Sequence, residues 1–154
     1  MRVLAINTVG IGPTYDSKVL RFACPEDFGA IDICIVRVFG RGDPLFAGEP
    51  KWLALKVTQA RDLRWAIPED QRGWLAEYAS WIQILRYLAA RLNALGVRCP
   101  HPPAFVDAGL RRAGAWFCAD VEMVLFAHAT SLRTERTRAD FGDSVAQSEP
   151  SPLE

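Results

Sequence analysis

The stretch Thr8 to Ser17 carries residue types that bind phosphate groups. Backbone amides at glycines and nearby hydroxyl groups can donate hydrogen bonds to an anion. The candidates in this stretch are Thr8, Gly10, Gly12, Thr14 and Ser17. However, Pro13 stands where another amide donor would be useful, and no Gly-Lys-Ser/Thr follows as in a P-loop. The pattern therefore favours a turn between strands, with a phosphate or nucleotide site as the alternative.

Thiols and imidazoles supply candidate metal ligands and nucleophiles. The chain has four cysteines and two histidines, and only Cys99 and His101 are close in sequence. Their spacing is not that of a zinc finger or ribbon. No local signature of a cysteine nucleophile accompanies them. We therefore expect reduced core thiols and a loop histidine, with no metal and no cofactor.

Two carboxylates, Asp120 and Glu122, depend on the conformation of residues 116–128. In a strand they share one face and could hold a divalent ion together with Asp107 or Asp32. In a helix, residues two apart diverge, and the pair cannot form a site. Because no third ligand can be identified, a solvated charged edge is favoured over a metal site.

Basic side chains at Arg98, Arg111 and Arg112 are the candidates for binding nucleic acid, near the predicted junction of two helices. The 18 basic and 18 acidic residues of the chain cancel, so no long-range field attracts nucleic acid or an anionic membrane. Solvated faces are therefore favoured, and a nucleic-acid patch is the second interpretation.

The tripeptide Arg41-Gly42-Asp43 matches the sequence that adhesion receptors recognise. Its surroundings, Gly40 and Pro44, are typical of a turn. The chain shows neither a secretory signal at its start nor an apolar run long enough for a transmembrane helix. We therefore expect a turn in a cytoplasmic protein, with no membrane association.

The N-terminal half is predicted to be rich in β-structure, with about four short strands. The segments are 3–9, 18–24, 30–39 and 52–57. The third has the clearest alternation, with isoleucine at every second position before a continuous apolar end. The fourth also suits a helix, because it follows a proline and is rich in Ala, Leu and Lys.

A long helix is predicted between Pro68 and Gly96, since proline favours the first turn and glycine the C-terminal end. Large apolar residues recur at four- and three-residue spacing: Trp74, Tyr78, Trp81, Leu85, Leu88, Leu92 and Leu95. We expect Trp81, Leu85 and Leu88 to lie buried along one stripe that faces residues 105–125, with Gln83 and Arg91 largely exposed.

A second apolar segment opens at Pro102 and Pro103. Its spacing favours one long helix that pairs with the first, against a short helix ending at Gly114 and then a strand. Residues 134–154 are polar and are predicted to form a tail. The predicted fold is thus one α+β domain over residues 1–133, with a β-rich half packed on a helical hairpin, followed by the tail.

The function best matched by these features is that of a cytoplasmic structural or accessory subunit that acts through protein contacts. The long helix presents Trp74, Tyr78 and Trp81, and large aromatic side chains are common interface anchors. Self-association is included in this prediction. The alternatives are a small phosphate- or nucleotide-binding enzyme or regulator, and an accessory protein that binds nucleic acid.

Overall fold

The structure is a computed structural model that describes residues 12–146, with side chains described through residue 139. Helices dominate it. The elements are α1 (Pro13–Ala23), α2 (Ile33–Phe39), a 3₁₀ turn (Pro44–Phe46), β1 (Thr58–Gln59), β2 (Trp65–Ala66), α3 (Trp74–Ala94), α4 (Pro103–Asp107) and α5 (Cys118–Ala146). The core forms where α5 packs against α2 and α3.

The predicted β-rich half is wrong. Within residues 12–146 the sheet has two strands, β1 and β2, paired antiparallel. Residues 18–23 belong to α1, residues 33–39 form α2, and the predicted strand 3–9 lies outside the described residues. The Asp32 carboxylate caps α2 by accepting a hydrogen bond from the Ile35 amide at 3.0 Å. This cap and the burial of most of α2 outweigh the modest strand preference of its β-branched residues.

Residues 52–57 show the alternating burial of a strand but pair with Arg41 only through an isolated parallel bridge, outside the sheet of β1 and β2. Leu53, Leu55 and Val57 are buried, and the residues between them are exposed. The outward amides bond to side chains instead of a neighbouring strand. The amide of Ala54 donates to Glu77 at 2.7 Å, and that of Lys56 donates to Gln71 at 2.7 Å.

The turn at Arg41 to Asp43 has a structural role. Gly42 has a φ of +99°, which favours glycine. The buried Asp43 carboxylate accepts from the Leu45 amide at 3.0 Å and pairs with Arg37 at 2.6 Å. This carboxylate is therefore held inside the protein, which favours the structural interpretation of the Arg41-Gly42-Asp43 turn.

Helix α3 ends as predicted but begins later. Gly96, at a φ of +70°, closes it with the paired hydrogen bonds of a Schellman motif, from Gly96 to Asn93 and from Val97 to Leu92, both at 3.1 Å. At the other end, Pro68 lies before the helix. The helix starts at Trp74, directly after Gly73, whose backbone is in the left-handed conformation.

On α3 the predicted burial is confirmed for Trp81 and Leu85 and the predicted exposure for Gln83 and Arg91, whereas Leu88, predicted to be buried, is only partly so. Trp81 and Leu85 are fully buried and Leu88 packs half-buried against the core, while Gln83 and Arg91 are exposed.

The connector at residues 25–31 joins α1 to α2 and accepts hydrogen bonds from α3 and α5. On α3, the Tyr78 hydroxyl donates to the Gly29 carbonyl at 3.2 Å, and the Trp81 indole donates to the Ala30 carbonyl at 2.9 Å. Polar atoms of the buried aromatic side chains thus find partners in irregular backbone, as buried polar groups must.

The start of α5 is held by the same connector. The amides of Cys118 and Ala119, which have no partner within their helix, donate to the carbonyls of Glu26 and Pro25 at 3.3 and 3.0 Å. The connector therefore fixes where α5 begins.

The second apolar segment is two helices, not one. Gly109 and Gly114 have φ values of +69° and +72° and separate α4 from α5. The strand alternative for residues 116–128 is wrong, because α5 covers Cys118–Ala146. This helix also runs through residue 134, where the tail was predicted to begin, and the Arg136 guanidinium donates to the Leu45 carbonyl at 2.8 Å. The boundary between a domain over residues 1–133 and a tail over residues 134–154 stays a prediction.

None of the helices within residues 12–146 is long and apolar enough to cross a bilayer. A cytoplasmic location stays a prediction.

Candidate functional site

The favoured turn between strands is wrong in its described part, because Pro13–Ala23 forms α1, and the alternative phosphate site is occupied there by the protein's own groups. Thr8 and Gly10 lie outside the described residues, Gly12 caps α1, and Thr14 is in its first turn. The buried Ser17 hydroxyl donates to the Thr14 carbonyl at 2.7 Å and accepts from the Ile31 amide at 3.1 Å. The Ser17 hydroxyl thus makes its hydrogen bonds within the protein's own fold.

A carboxylate also lies at the amino end of α1. A Cβ atom added to Gly12 would lie 2.1 Å from Oε1 of Glu69. A negative charge therefore already stands where an anionic ligand would approach the helix. The geometry of Gly12 to Ser17 does not favour phosphate.

The aromatic residues predicted as an interface lie mainly in the core. Trp81 is fully buried, Tyr78 is 5% exposed, and Trp74 packs half-buried against the core. Burial raises the pKa of the Tyr78 hydroxyl. The aromatic stripe of α3 is thus occupied by the protein's own chain.

Two of the three candidate arginines for nucleic acid form ion pairs. Arg111 pairs with Asp120 at 3.1 Å, and Arg112 pairs with Glu26. Arg98 is exposed and lies beside Gly114. Neighbouring carboxylates thus partly offset the charges of Arg111 and Arg112.

The structure instead assembles a groove between α1 and α5, which we call the α1–α5 groove. It consists of two adjoining cavities of about 330 and 210 Å³ that share Arg21 and Met123 as lining residues. Cys99, His101 and Asp120 line the larger cavity, and Glu122 lines the smaller one.

A buried acid lines the smaller cavity. The Glu122 side chain is 6% exposed, and its Oε2 lies 2.5 Å from Nε of Arg21, without the alignment of a hydrogen bond. Burial raises the pKa of Glu122 to about 7, although the Arg21 guanidinium acts in the opposite direction. This carboxyl group can therefore exchange a proton near neutral pH.

Three potential metal ligands meet at the larger cavity, which we call the Cys-His-Asp cluster: Cys99, His101 and Asp120. One ligand atom from each lies within 4.8 Å of the others. Sγ of Cys99 is 3.8 Å from Nδ1 of His101, and Oδ2 of Asp120 is 3.6 Å from Nε2. All three side chains are mostly buried, because the turn after α3 and the first turn of α5 meet here.

Asp120 is held in place by groups other than the cluster. Its Oδ2 accepts from the Phe117 amide at 2.9 Å and so caps α5, while Oδ1 accepts from Arg111 at 3.1 Å. Burial, assisted by the Asp120 charge and opposed by Arg111, raises the pKa of the Cys99 thiol. The isolated thiol is therefore a poor nucleophile.

The positions of these residues in the sequence do not indicate which of them meet in the fold. Because α5 is a helix, Asp120 and Glu122 reach different cavities, so the joint carboxylate site, the less favoured alternative, does not form. The favoured expectation of a solvated charged edge is also wrong, since Glu122 is only 5% exposed. Cys99 and His101 were recognisable as a local pair, but nothing in their spacing pointed to Asp120. The expectation of no metal stays a prediction.

The outward face of α1 is apolar. Tyr15, Val19 and Phe22 are 65%, 52% and 75% exposed, and their spacing of four and three places them on one stripe. Lys18 stacks over the Tyr15 ring at 5.3 Å and Arg21 over the Phe22 ring at 5.1 Å. On its other side the helix buries Ser17 and packs Leu20 against the core. Three of its four large apolar side chains thus face outward, so its pattern is largely inverted relative to an ordinary surface helix.

Comparison of the chain with protein-family models, with curated proteins and with solved structures found no match. What the protein does must therefore be inferred from its own residues.

Proposed function

We propose that this protein is an accessory subunit that binds another protein through the outward face of α1. The carrying observation is the inverted helix: Tyr15, Val19 and Phe22 lie in solvent, and Ser17 is buried. Exposed apolar side chains gathered on one surface commonly mark an interaction site, because covering them releases about 25 cal/mol for each Å².

The apolar face continues from α1 onto α5. Met123 and Val124 are 48% and 53% exposed, and Met123 lines the same cavity as Phe22. A methionine at such a surface adapts to the shape of a partner. The patch therefore includes parts of two helices.

The partner's chemistry follows from this face. Anchors at positions i, i+4 and i+7 are those of a helix that inserts into an apolar groove. Lys18 flanks the stripe with a positive charge, which favours carboxylates on the partner's rim. We therefore propose a partner with an apolar groove bordered by acidic side chains. No comparable observation favours phosphate binding at Gly12 to Ser17 or nucleic-acid binding by the arginines.

A site-specific photo-crosslinker tests this proposal. Benzoylphenylalanine replaces Val19 in the full-length chain in its native cells, and a matched probe replaces Leu75, which is 57% exposed on α3. We expect a discrete adduct only from position 19, with the attached peptide mapping to an apolar groove. With the purified partner, Phe22→Ser should weaken binding at least tenfold, whereas Leu75→Ser should not.

Two results would contradict the proposal. Equal adducts from both positions, or no adduct, would show that the α1 face is not a specific interface. An adduct to a second copy of this chain would replace the proposed partner by self-association, and light scattering would then report a dimer disrupted by Phe22→Ser.

A further inference from the structure

We propose that Cys99, His101 and Asp120 form a binding site for a divalent transition metal ion of the zinc class. This inference is independent of the proposed protein-binding face, because it rests on different residues.

The separation of the donor atoms fits one metal ion. Zinc lies about 2.3 Å from a thiolate and about 2.0–2.1 Å from an imidazole nitrogen, so two such ligands in a tetrahedron are about 3.6 Å apart. Sγ of Cys99 and Nδ1 of His101 are 3.8 Å apart. All three donor atoms lie within 4.8 Å of one another, but Oδ2 of Asp120 is nearest Nε2, at 3.6 Å, so completing the site requires the carboxylate to move toward the Nδ1 side of the ring.

The histidine ring is already oriented for coordination. Nε2 lies 2.8 Å from the Ala115 carbonyl oxygen, which can only accept a hydrogen bond. Nε2 therefore carries the proton, and the lone pair of Nδ1 faces Cys99. A ligating histidine commonly has its other nitrogen held by a carbonyl or carboxylate in this way.

Asp120 supplies the third donor, because an ionised carboxylate has about four acceptor positions. Its bonds to Arg111 and to the Phe117 amide fix its orientation. On metal binding the Cys99 thiol would lose its proton to solvent as the sulfur–metal bond forms, and Arg111 would offset part of the added negative charge. A thiolate, an imidazole and a carboxylate together favour zinc over magnesium or calcium.

The fourth position would open into the cavity of about 330 Å³ that the three residues line. Three protein ligands with one open position are typical of catalytic zinc sites, whereas structural sites are closed by four. The open position would take water or a small ligand with an oxygen, nitrogen or sulfur donor.

Metal titration of the full chain, first stripped by a chelator, tests the site. We expect one equivalent of zinc by calorimetry, and a thiolate-to-metal charge-transfer band with cobalt. Cys99→Ser and His101→Gln should each weaken zinc binding at least about 100-fold, and Asp120→Asn about 10-fold or more. The matched controls Cys24→Ser and His128→Gln change an exposed thiol and an exposed imidazole and should bind as the unaltered chain does.

A second readout needs no variant. Zinc should slow alkylation of Cys99 by iodoacetamide, as followed by peptide mass mapping, and leave that of Cys24 unchanged. The inference is overturned if zinc does not bind, if binding survives Cys99→Ser, or if zinc leaves the alkylation of Cys99 unchanged. Circular dichroism of each variant reports its helix content and so distinguishes loss of metal binding from loss of the fold. This control is needed for Asp120→Asn in particular, because Asp120 caps α5.

Discussion

Helices α1 and α3 carry similar apolar spacings and have opposite surroundings. On α3, Trp81 and Leu85 are fully buried. On α1, Tyr15 and Phe22 are mostly exposed, although their spacing would predict a buried face equally well. Periodicity therefore identifies an apolar face, and it does not reveal whether the chain itself covers that face.

The two helices are also attached by different interactions. Helix α3 packs through large apolar surfaces, and its aromatic polar atoms bond to the connector. Helix α1 is held by the Ser17 hydroxyl, by the contact of Arg21 with Glu122 and by Leu20, a single partly buried apolar side chain packed against the core. We therefore expect core substitutions to act strongly on α3 and polar substitutions to act on α1.

Leu85→Ala should have the largest effect, a loss of about 2–5 kcal/mol in the free energy of unfolding, because a fully buried leucine leaves a cavity. Gln83→Ala, on the exposed side of the same helix, should change it by less than about 0.5 kcal/mol. Urea denaturation of both variants measures the difference. Similar small losses would mean that α3 is not packed on its own domain.

Glu122 should make stability depend on pH. Its pKa is raised in the folded state from an ordinary value of 4.5 to about 7, so the folded state binds more protons between these values. The free energy of unfolding of the metal-free protein should therefore fall as the pH rises through this window, by up to about 3 kcal/mol, and level off above it.

Denaturation between pH 4 and pH 8 measures that slope. Glu122→Gln should remove it, whereas Glu26→Gln, which alters an exposed carboxylate, should preserve it. A Glu122→Gln variant with the original slope would show that another group is responsible.

Ser17→Ala should cost about 1–3 kcal/mol, because the buried Ile31 amide would lose its hydrogen-bond acceptor. Ser80→Ala is the matched control, since that hydroxyl is exposed and bonds only to the preceding turn of α3. Thermal melts of the two variants test whether α1 is attached by polar contacts. Equal melting temperatures would argue against it.

Phe22→Ala should have the smallest effect on stability, less than about 0.5 kcal/mol, because the ring is 75% exposed. The same variant should bind the proposed partner poorly. Chemical denaturation of the isolated protein is the measurement. A loss above about 1 kcal/mol would show that the protein's own chain covers this ring, and the contrast between α1 and α3 would disappear.

Local sequence signals were sufficient where the deciding contacts are local. Gly96 ends α3 because a left-handed residue is needed within that same turn, and the stripe at Trp81 and Leu85 follows from helical spacing. The proximity of Cys99 and His101 was likewise visible, since one residue separates them.

Tertiary packing decided the features that depend on residues far apart in the chain. Residues 33–39 have the composition of a strand, yet burial against α5 and the Asp32 cap favour a helix, since propensities differ by only a few tenths of a kcal/mol per residue. Asp120 lies near His101 because contacts distant in sequence position it: the connector at 25–31 holds the start of α5, and Arg111 holds the carboxylate. The exposure of Phe22 has the same origin: a side chain's spacing is set by its own helix, but its neighbours are supplied by the rest of the fold.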